Sequence, residues 1–131
     1  VRDAKRPRLV IGLDTSSSIS DGELDLFAAE TRGIQRRTGA ETHLLGFDTE
    51  VHLQTRLDPQ TRFPDISFQR GGGTGFVDVV RAATELGASA LVVLTDLEGA
   101  AGPKPRFPVF WAVPGSDPPD APFGTVICLA S

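Results

Sequence analysis

The chain of 131 residues has no methionine and a single cysteine, Cys128. One thiol cannot close an internal disulfide or build a cysteine metal cluster, and its presence in an apolar run agrees with a reducing compartment, so a cytoplasmic location is expected. Without methionine, Val1 is not a translation start; residues 1–131 are expected to be a single domain forming the C-terminal part of a longer protein. Long apolar runs are missing too. The longest, Ala88 to Leu94, falls far short of the roughly 18 residues that a bilayer span needs, and the basic start lacks the apolar core of a secretion signal. No membrane partner is expected. Nor does any run of Lys or Arg track a phosphate backbone: 13 basic side chains stand against 17 acidic ones, for a net charge of -4. This excludes nucleic acid as the expected partner.

What is present suits a chain that buries a core: 40% apolar and 23% charged residues. The 14 glycines and 10 prolines disfavour a helix bundle and point to tight turns. Leu9 to Leu13 reads as a strand buried on both faces, ending at Asp14. Ser20 and Glu23 have capping-box spacing and open a helix of about eighteen residues, with Leu24, Phe27, Ala28, Thr31 and Ile34 on its apolar stripe and Gly39 as its stop. His43 to Phe47 and Val51 to Leu57 form a hairpin around Asp48, Thr49 and Glu50. Asp58 to Gly73 is a loop. A second helix carries Phe76, Val79, Val80 and Ala83 and ends at Gly87, before the buried strand Ala90 to Leu94. Val109 to Val113 and Thr125 to Leu129 are two more strands, preceded by proline-rich coil rather than helix. The fold class is therefore α/β: an open, mostly parallel twisted sheet of about six strands, with an antiparallel edge hairpin and helices on both faces, reduced in its C-terminal half. The last two strands are apolar on both alternating faces, so something beyond a helix of this chain is expected to cover one of them.

In open α/β sheets, ligands sit beyond the carboxyl ends of the strands, where strand order reverses. Asp14, Ser16 and Ser18 alternate directly after the first strand, so an extended backbone would aim their oxygens to one side. Thr74 follows Gly71 to Gly73, and Asp96 ends the central strand; both are expected at the same rim. Two carboxylates and three hydroxyls are hard oxygen donors, which suit Mg²⁺, Mn²⁺ or Ca²⁺ and leave the ion able to accept a carboxylate from elsewhere.

Asp14-Thr15-Ser16-Ser17-Ser18, Thr74 and Asp96 resemble the metal-ion-dependent adhesion site of a von Willebrand factor A domain. Ile11 to Asp21, Gly72-Gly73-Thr74, Leu94-Thr95-Asp96 and Pro108 to Trp111 are most similar to the bacterial VWA-like domain found behind a metallopeptidase-like helical region. The resemblance spans nearly the whole chain. It implies a Rossmann-like VWA fold, with a divalent ion held directly by Ser16, Ser18 and Thr74 and largely through water by Asp14 and Asp96. It further implies a non-enzymatic binding module whose metal accepts an acidic residue of a partner protein or upstream domain, working beside a MoxR-type AAA ATPase.

Three positions depart from that family's pattern. Ser17 replaces the glycine between the serines, where a Cβ is expected to tighten or distort the loop. Gly75 replaces the Asp after the threonine, leaving Asp78 as the next carboxylate. Leu97-Glu98-Gly99 replaces an Asp-Gly turn, so that Glu98 either crowds the site or adds a ligand. Two alternatives follow: a metal-free interaction domain, or a Mg²⁺-dependent phosphate-handling hydrolase with Asp14 as nucleophile. In the second, Ser16 stands where the general acid belongs. The glycine run before Thr74 lacks a P-loop lysine. Asp48 is expected to be a turn residue, His43 and His52 to be structural or on the surface, Trp111 to be core, and Arg32, Arg36 and Arg37 to be solvated at the end of the first helix.

Overall fold

The computed structural model describes residues 7–58, 68 and 70–129; most of the loop expected between Asp58 and Gly73 lies outside them. Strands β1 (Arg8–Asp14), β2 (Glu41–Phe47), β3 (Val51–Leu57), β4 (Ala90–Leu94), β5 (Val109–Pro114) and β6 (Thr125–Leu129) alternate with helices α1 (Asp21–Arg37) and α2 (Val77–Glu85). The strands form one sheet in the order β3-β2-β1-β4-β5-β6. β3 runs antiparallel to β2, and every other neighbouring pair is parallel. This is the expected α/β sheet with an antiparallel edge hairpin. Among the described residues, no helix is long and apolar enough to cross a membrane.

The continuous apolar run of β1 is explained by its central place. Val10 packs with Phe47, Phe76, Val79 and Trp111 on one face, while Ile11 and Leu13 pack with Phe27, Leu44 and Leu94 on the other. α2 therefore covers the first face and α1 the second. Gly12 lets α2 approach closely: a Cβ there would lie 2.9 Å from Val79 Cγ2 and 3.4 Å from the Phe47 ring. At the start of α1, the Ser20 hydroxyl accepts from the Glu23 N–H at 3.1 Å and the Glu23 carboxylate accepts from the Ser20 N–H at 3.0 Å, the reciprocal capping box. Gly39 does not stop this helix as expected. Thr38 does, with extended backbone at φ -98°, and its hydroxyl accepts from the Ala40 N–H at 3.1 Å, so no left-handed residue is needed. Gly87, at φ 70°, does end α2.

The C-terminal half has coil where a doubly wound sheet would have helices. On the α2 side that coil is an adequate cover: Phe107, Ala121 and Phe123 pack against Val109, Trp111 and Val113. The Trp111 indole donates to the Phe123 carbonyl at 2.6 Å, and the two rings lie 5.6 Å apart. On the other face the cover thins. Ile127 pairs in register with Ala112, which packs on the α1 side, yet Ile127 is 44% exposed. Thr125, Ile127 and Cys128 are exposed, so within the described residues the chain leaves β6 partly uncovered, in line with the expectation that its own helices do not cover both faces. Among the described residues the exposure is shared by both faces, Ile127 on the α1 side and Cys128 beside Val113 on the α2 side, while Leu129 at the carboxyl end of β6 is buried.

The amino-end edge of the sheet is pinned by charge. Glu41 on β2 lies 2.5 Å from Arg8 Nε on the neighbouring β1, 2.7 Å from His43 Nε2 and 3.8 Å from Arg56 Nη2 on β3. The hydrogen bond to His43, then that to Arg8, pull its carboxyl from an ordinary 4.5 down to about 2. A carboxyl with a depressed folded pKa adds stability above its unfolded value and loses it as pH falls through the folded one. Glu41→Gln should therefore lower the melting temperature at neutral pH. Comparing melts from pH 7 to 2, the gap to the wild type should close between about pH 4.5 and pH 2; a gap of constant size across that range would show that the ion cluster does not stabilise the sheet edge.

Candidate metal centre

Strand order reverses at β1, which has β2 on one side and β4 on the other. Asp14, the last residue of β1, and Asp96, just past β4, thus meet at the carboxyl ends beside the switch point. Asp14 is fully buried. Its Oδ2 accepts from the Thr95 hydroxyl at 2.6 Å and its Oδ1 from the Ser16 N–H at 2.9 Å. After Ser16 the chain does not stay extended, as the alternation of oxygens suggested. The Ile19 N–H donates to the Ser16 carbonyl at 3.1 Å and closes a turn. The turn, rather than a strand, sets Ser16 Oγ 3.1 Å from Ser18 Oγ. Ser16 is buried and Ser18 exposed, so the loop climbs from a dry carboxylate to a wet hydroxyl.

A second loop is laced onto the first. The Ser17 N–H and hydroxyl both donate to the Gly72 carbonyl at 3.0 Å, and the Gly71 N–H donates to the Thr15 carbonyl at 3.0 Å. The Cβ at position 17 therefore does not distort the loop; its hydroxyl points to the neighbouring loop and ties the two together. Asp48 takes the turn role expected of it, accepting from the Glu50 N–H at 3.0 Å, and its carbonyl accepts from the Gly75 N–H at 3.0 Å. Gly72 sits at φ +84°, and a Cβ there would be 2.9 Å from Asp48 Oδ2. These bonds bracket Thr74 and bring it against the third loop: a Cβ at Gly99 would be 2.9 Å from both Thr74 Cγ2 and the Thr74 carbonyl oxygen. Among the described residues no hydrogen bond joins the Thr74 hydroxyl to Asp14, Ser16, Ser18 or Asp96. Asp78 is not at the rim, since it accepts from the Val51 N–H and from Arg81, each at 2.7 Å.

The third loop follows β4. Thr95 Oγ1 accepts from the Leu97 N–H at 3.1 Å, Asp96 Oδ1 accepts from the Glu98 N–H at 3.1 Å, and Leu97 adopts φ 63°. The Glu98 N–H bond to Asp96 keeps the start of this turn beside the Asp96 carboxylate. The hydrogen bond with Asp96 and the like charge beside it push the Glu98 carboxyl up, with the Ser18 hydroxyl opposing. Burial pushes Asp14 up as well, against the Thr95 and Ser16 bonds that favour its charged form. Among the described residues no Lys, Arg or His forms an ion pair with Asp14, Asp96 or Glu98.

Asp14, Ser16, Ser18 and Asp96 are thus brought together, and Thr74 is delivered to the same rim. Among the described residues no group of three or more His, Cys, Asp or Glu has metal-holding geometry, so carboxylates alone do not make a centre. With the hydroxyls, the donor set is oxygen only, and its buried carboxylate lacks a cation; these residues fit a hard divalent ion. Sequence reasoning missed Thr95, whose hydroxyl bridges β1 and the third loop, while His52 takes the structural role expected of it. Thr15 Oγ1 donates to the Phe47 carbonyl at 3.1 Å and so accepts from His52 Nε2 at 2.8 Å. The period-2 pattern places His52 on a strand but says nothing about what lies across it.

A family model described as VWA-like domain (DUF2201) matches residues 9–130. No curated protein matches the chain.

The lacing of the loops has a measurable cost of disruption. A left-handed backbone with a Cβ costs about 1–2 kcal/mol, and at Gly72 that Cβ also meets Asp48. Gly72→Ala should lower stability by at least that amount in chemical denaturation, whereas Gly73→Ala, with 3.5 Å to its nearest neighbour, should cost less. Equal losses at the two positions would contradict the geometry.

Proposed function

The chain belongs to the family of VWA-like domains, and from that premise we propose that it is a non-enzymatic protein-interaction module whose rim holds Mg²⁺, Mn²⁺ or Ca²⁺ on Asp14, Ser16, Ser18, Thr74 and Asp96. The observation that carries this reading is Asp14: a fully buried carboxylate with no ion pair among the described residues, next to hydroxyls at the switch point of the sheet. Such a group favours its neutral form unless a positive charge is supplied. Asp14 and Asp96 balance a divalent charge, while the neutral hydroxyls leave it Lewis acidic. When bound, the ion supplies a position that accepts a carboxylate from a partner protein or another domain. The chain's own residues do the rest: Thr95 and the Ser16 N–H fix the Asp14 carboxylate, and Ser17, Gly71 and Gly72 hold the loops in register.

An enzymatic reading has less support. Among the described residues no His, Lys or Cys is hydrogen-bonded to Asp14, Ser16, Ser18 or Asp96, so chemistry there lacks a nitrogen base or a thiol nucleophile.

Calorimetric titration with Mg²⁺ and Mn²⁺ should show one site on the purified domain. A ligand that binds only the folded state at a hundred times its Kd adds about 2.7 kcal/mol, so metal should raise the melting temperature. Asp14→Asn should abolish binding, and Ser18→Ala, at an exposed position, should weaken it while leaving the metal-free melt unchanged. A wild-type domain that neither binds nor shifts its melt, or that hydrolyses a generic phosphoester in a metal-dependent way, overturns the reading.

A further inference from the structure

We propose that the groove between α2 and the Pro103–Pro105 segment takes an apolar side chain of a partner protein, with an acidic residue next to it on Lys104. The proposal goes beyond the metal reading and needs no ion. A groove of about 330 Å³ separates Val77, Val80 and Thr84 on α2 from Gly102, Pro103 and Pro105 in the coil that follows the third loop. That volume is at the low end of the roughly 300–1,000 Å³ that small-molecule clefts span, so it suits one or two side chains better than a cofactor. Its chemistry is apolar. Prolines carry no N–H, so the wall they form asks no hydrogen bond of a ligand. The Thr84 hydroxyl donates to the Val80 carbonyl at 2.8 Å and is spent within the helix. Val77 at the edge is 57% exposed, the most exposed large apolar side chain among the described residues. A β-branched residue is a poor helix former, so the helix itself gives no reason for a valine facing water there.

Charge at the groove selects the partner's chemistry. Arg81 donates to Asp78 Oδ1 at 2.7 Å and pairs with Glu85, so its charge is held along the helix. Lys104 at the groove, and Arg106 two residues on, are exposed and form no ion pair among the described residues. A partner that seats an apolar side chain between the helix and the prolines completes the site by bringing a carboxylate to Lys104, whereas a basic neighbour is repelled. The groove is also continuous with the rim. The Phe76 N–H donates to the Ala100 carbonyl at 3.0 Å, and Gly75 pairs with Ala100 in a parallel bridge. Cβ atoms at Gly99 and Gly102 would meet Thr74 at 2.9 Å and Val77 at 3.1 Å. Residues 99–102 therefore run alongside 74–77, from the rim to the groove. Three residues span at most about 10 Å, so one extended segment of a partner covers both places.

The test is an amide NMR titration of the domain in EDTA with blocked tripeptides: acetyl-Leu-Leu-Glu-amide, acetyl-Leu-Leu-Gln-amide and acetyl-Ala-Ala-Glu-amide. The first should shift the signals of Val77, Arg81, Gly102 and Lys104. It should bind roughly two- to fivefold more tightly than the Gln peptide, as one exposed ion pair allows, and about tenfold more tightly than the Ala peptide. Lys104→Glu should reverse the charge preference, so that acetyl-Leu-Leu-Lys-amide binds better than the Glu peptide. Val77→Asp puts an acid in the first turn of α2, where the helix dipole favours it; it should keep the wild-type melt and lose the Leu peptides. Shifts that are absent at millimolar peptide, or centred on β6, overturn the proposal. So do equal affinities for the Glu and Gln peptides that Lys104→Glu leaves unchanged. A concentration-dependent dimer in sedimentation that Val77→Asp abolishes makes a second copy the occupant and overturns it too. With EDTA present throughout, a failure of the metal reading leaves every one of these outcomes as it is.

Discussion

The carboxyl end of the sheet depends on one buried contact, the 2.6 Å hydrogen bond from Thr95 to Asp14. It spans the gap between the ends of β1 and β4, the place where the chain leaves the sheet in two directions. Neither partner can reach water: both are fully buried. The hydroxyl has one proton to donate, so donating it to Asp14 leaves Thr95 to accept, and it accepts from the Leu97 N–H. The carboxylate position and the course of the third loop are therefore set by a single oxygen. On its other side, Asp14 accepts from the Ser16 N–H, which starts the first loop. Two of the three loops at the rim thus hang from one carboxylate. A carboxylate buried this deeply is costly without compensation, and two hydrogen bonds compensate only part of a full charge.

Most of the fold is legible in the sequence because it rests on periods and punctuation. The two-sided apolar run of β1, the Ser20–Glu23 box, the helical stripes and the glycine after α2 are local signals with one reading each. The rim is legible only as a list of oxygens. That Asp14, Ser16 and Ser18 alternate is visible, but the alternation suggests an extended comb, and the chain instead turns at Ser16. Turn closure here follows from Ser17 and Thr15 being pulled onto Gly72, Gly71 and Phe47, partners 32 or more residues away that no local pattern names. Thr95 was missed for the same reason: it acts across the sheet, on the last residue of another strand. The apolar content of β6 says that a strand prefers burial, and its proline-rich connections say that no helix of this chain covers it; the exposure of Ile127 agrees with both.

The two ends of the sheet treat charge in opposite ways. At the base, Glu41 is surrounded by Arg8, His43 and Arg56, so its negative charge is matched by this chain's own side chains. At the rim, Asp14, Asp96 and Glu98 have no such match among the described residues. Composition does not force this difference, since thirteen basic side chains are available. Among the described residues Asp14 is the only carboxylate that is buried, and it has no ion pair, so the rim is where burial and uncompensated charge coincide.

Rigidity decides what that charge can do. An ion-binding rim on free loops would lose much of its affinity in ordering them. Here three hydrogen bonds from Ser17 and Gly71 join the first and second loops, a fourth from Gly75 ties the second loop to the hairpin turn at Asp48, and the third loop is locked against Thr74 at Gly99. Ser17 is the informative residue. A glycine at that position would leave the Gly72 carbonyl with the Ser17 N–H alone; the serine adds its hydroxyl and converts a contact between loops into a brace. The backbone of the rim is therefore held by bonds of its own loops, and the side chains it turns to solvent are those of Ser18 and Glu98. Change at this rim then falls on side chains over a fixed backbone.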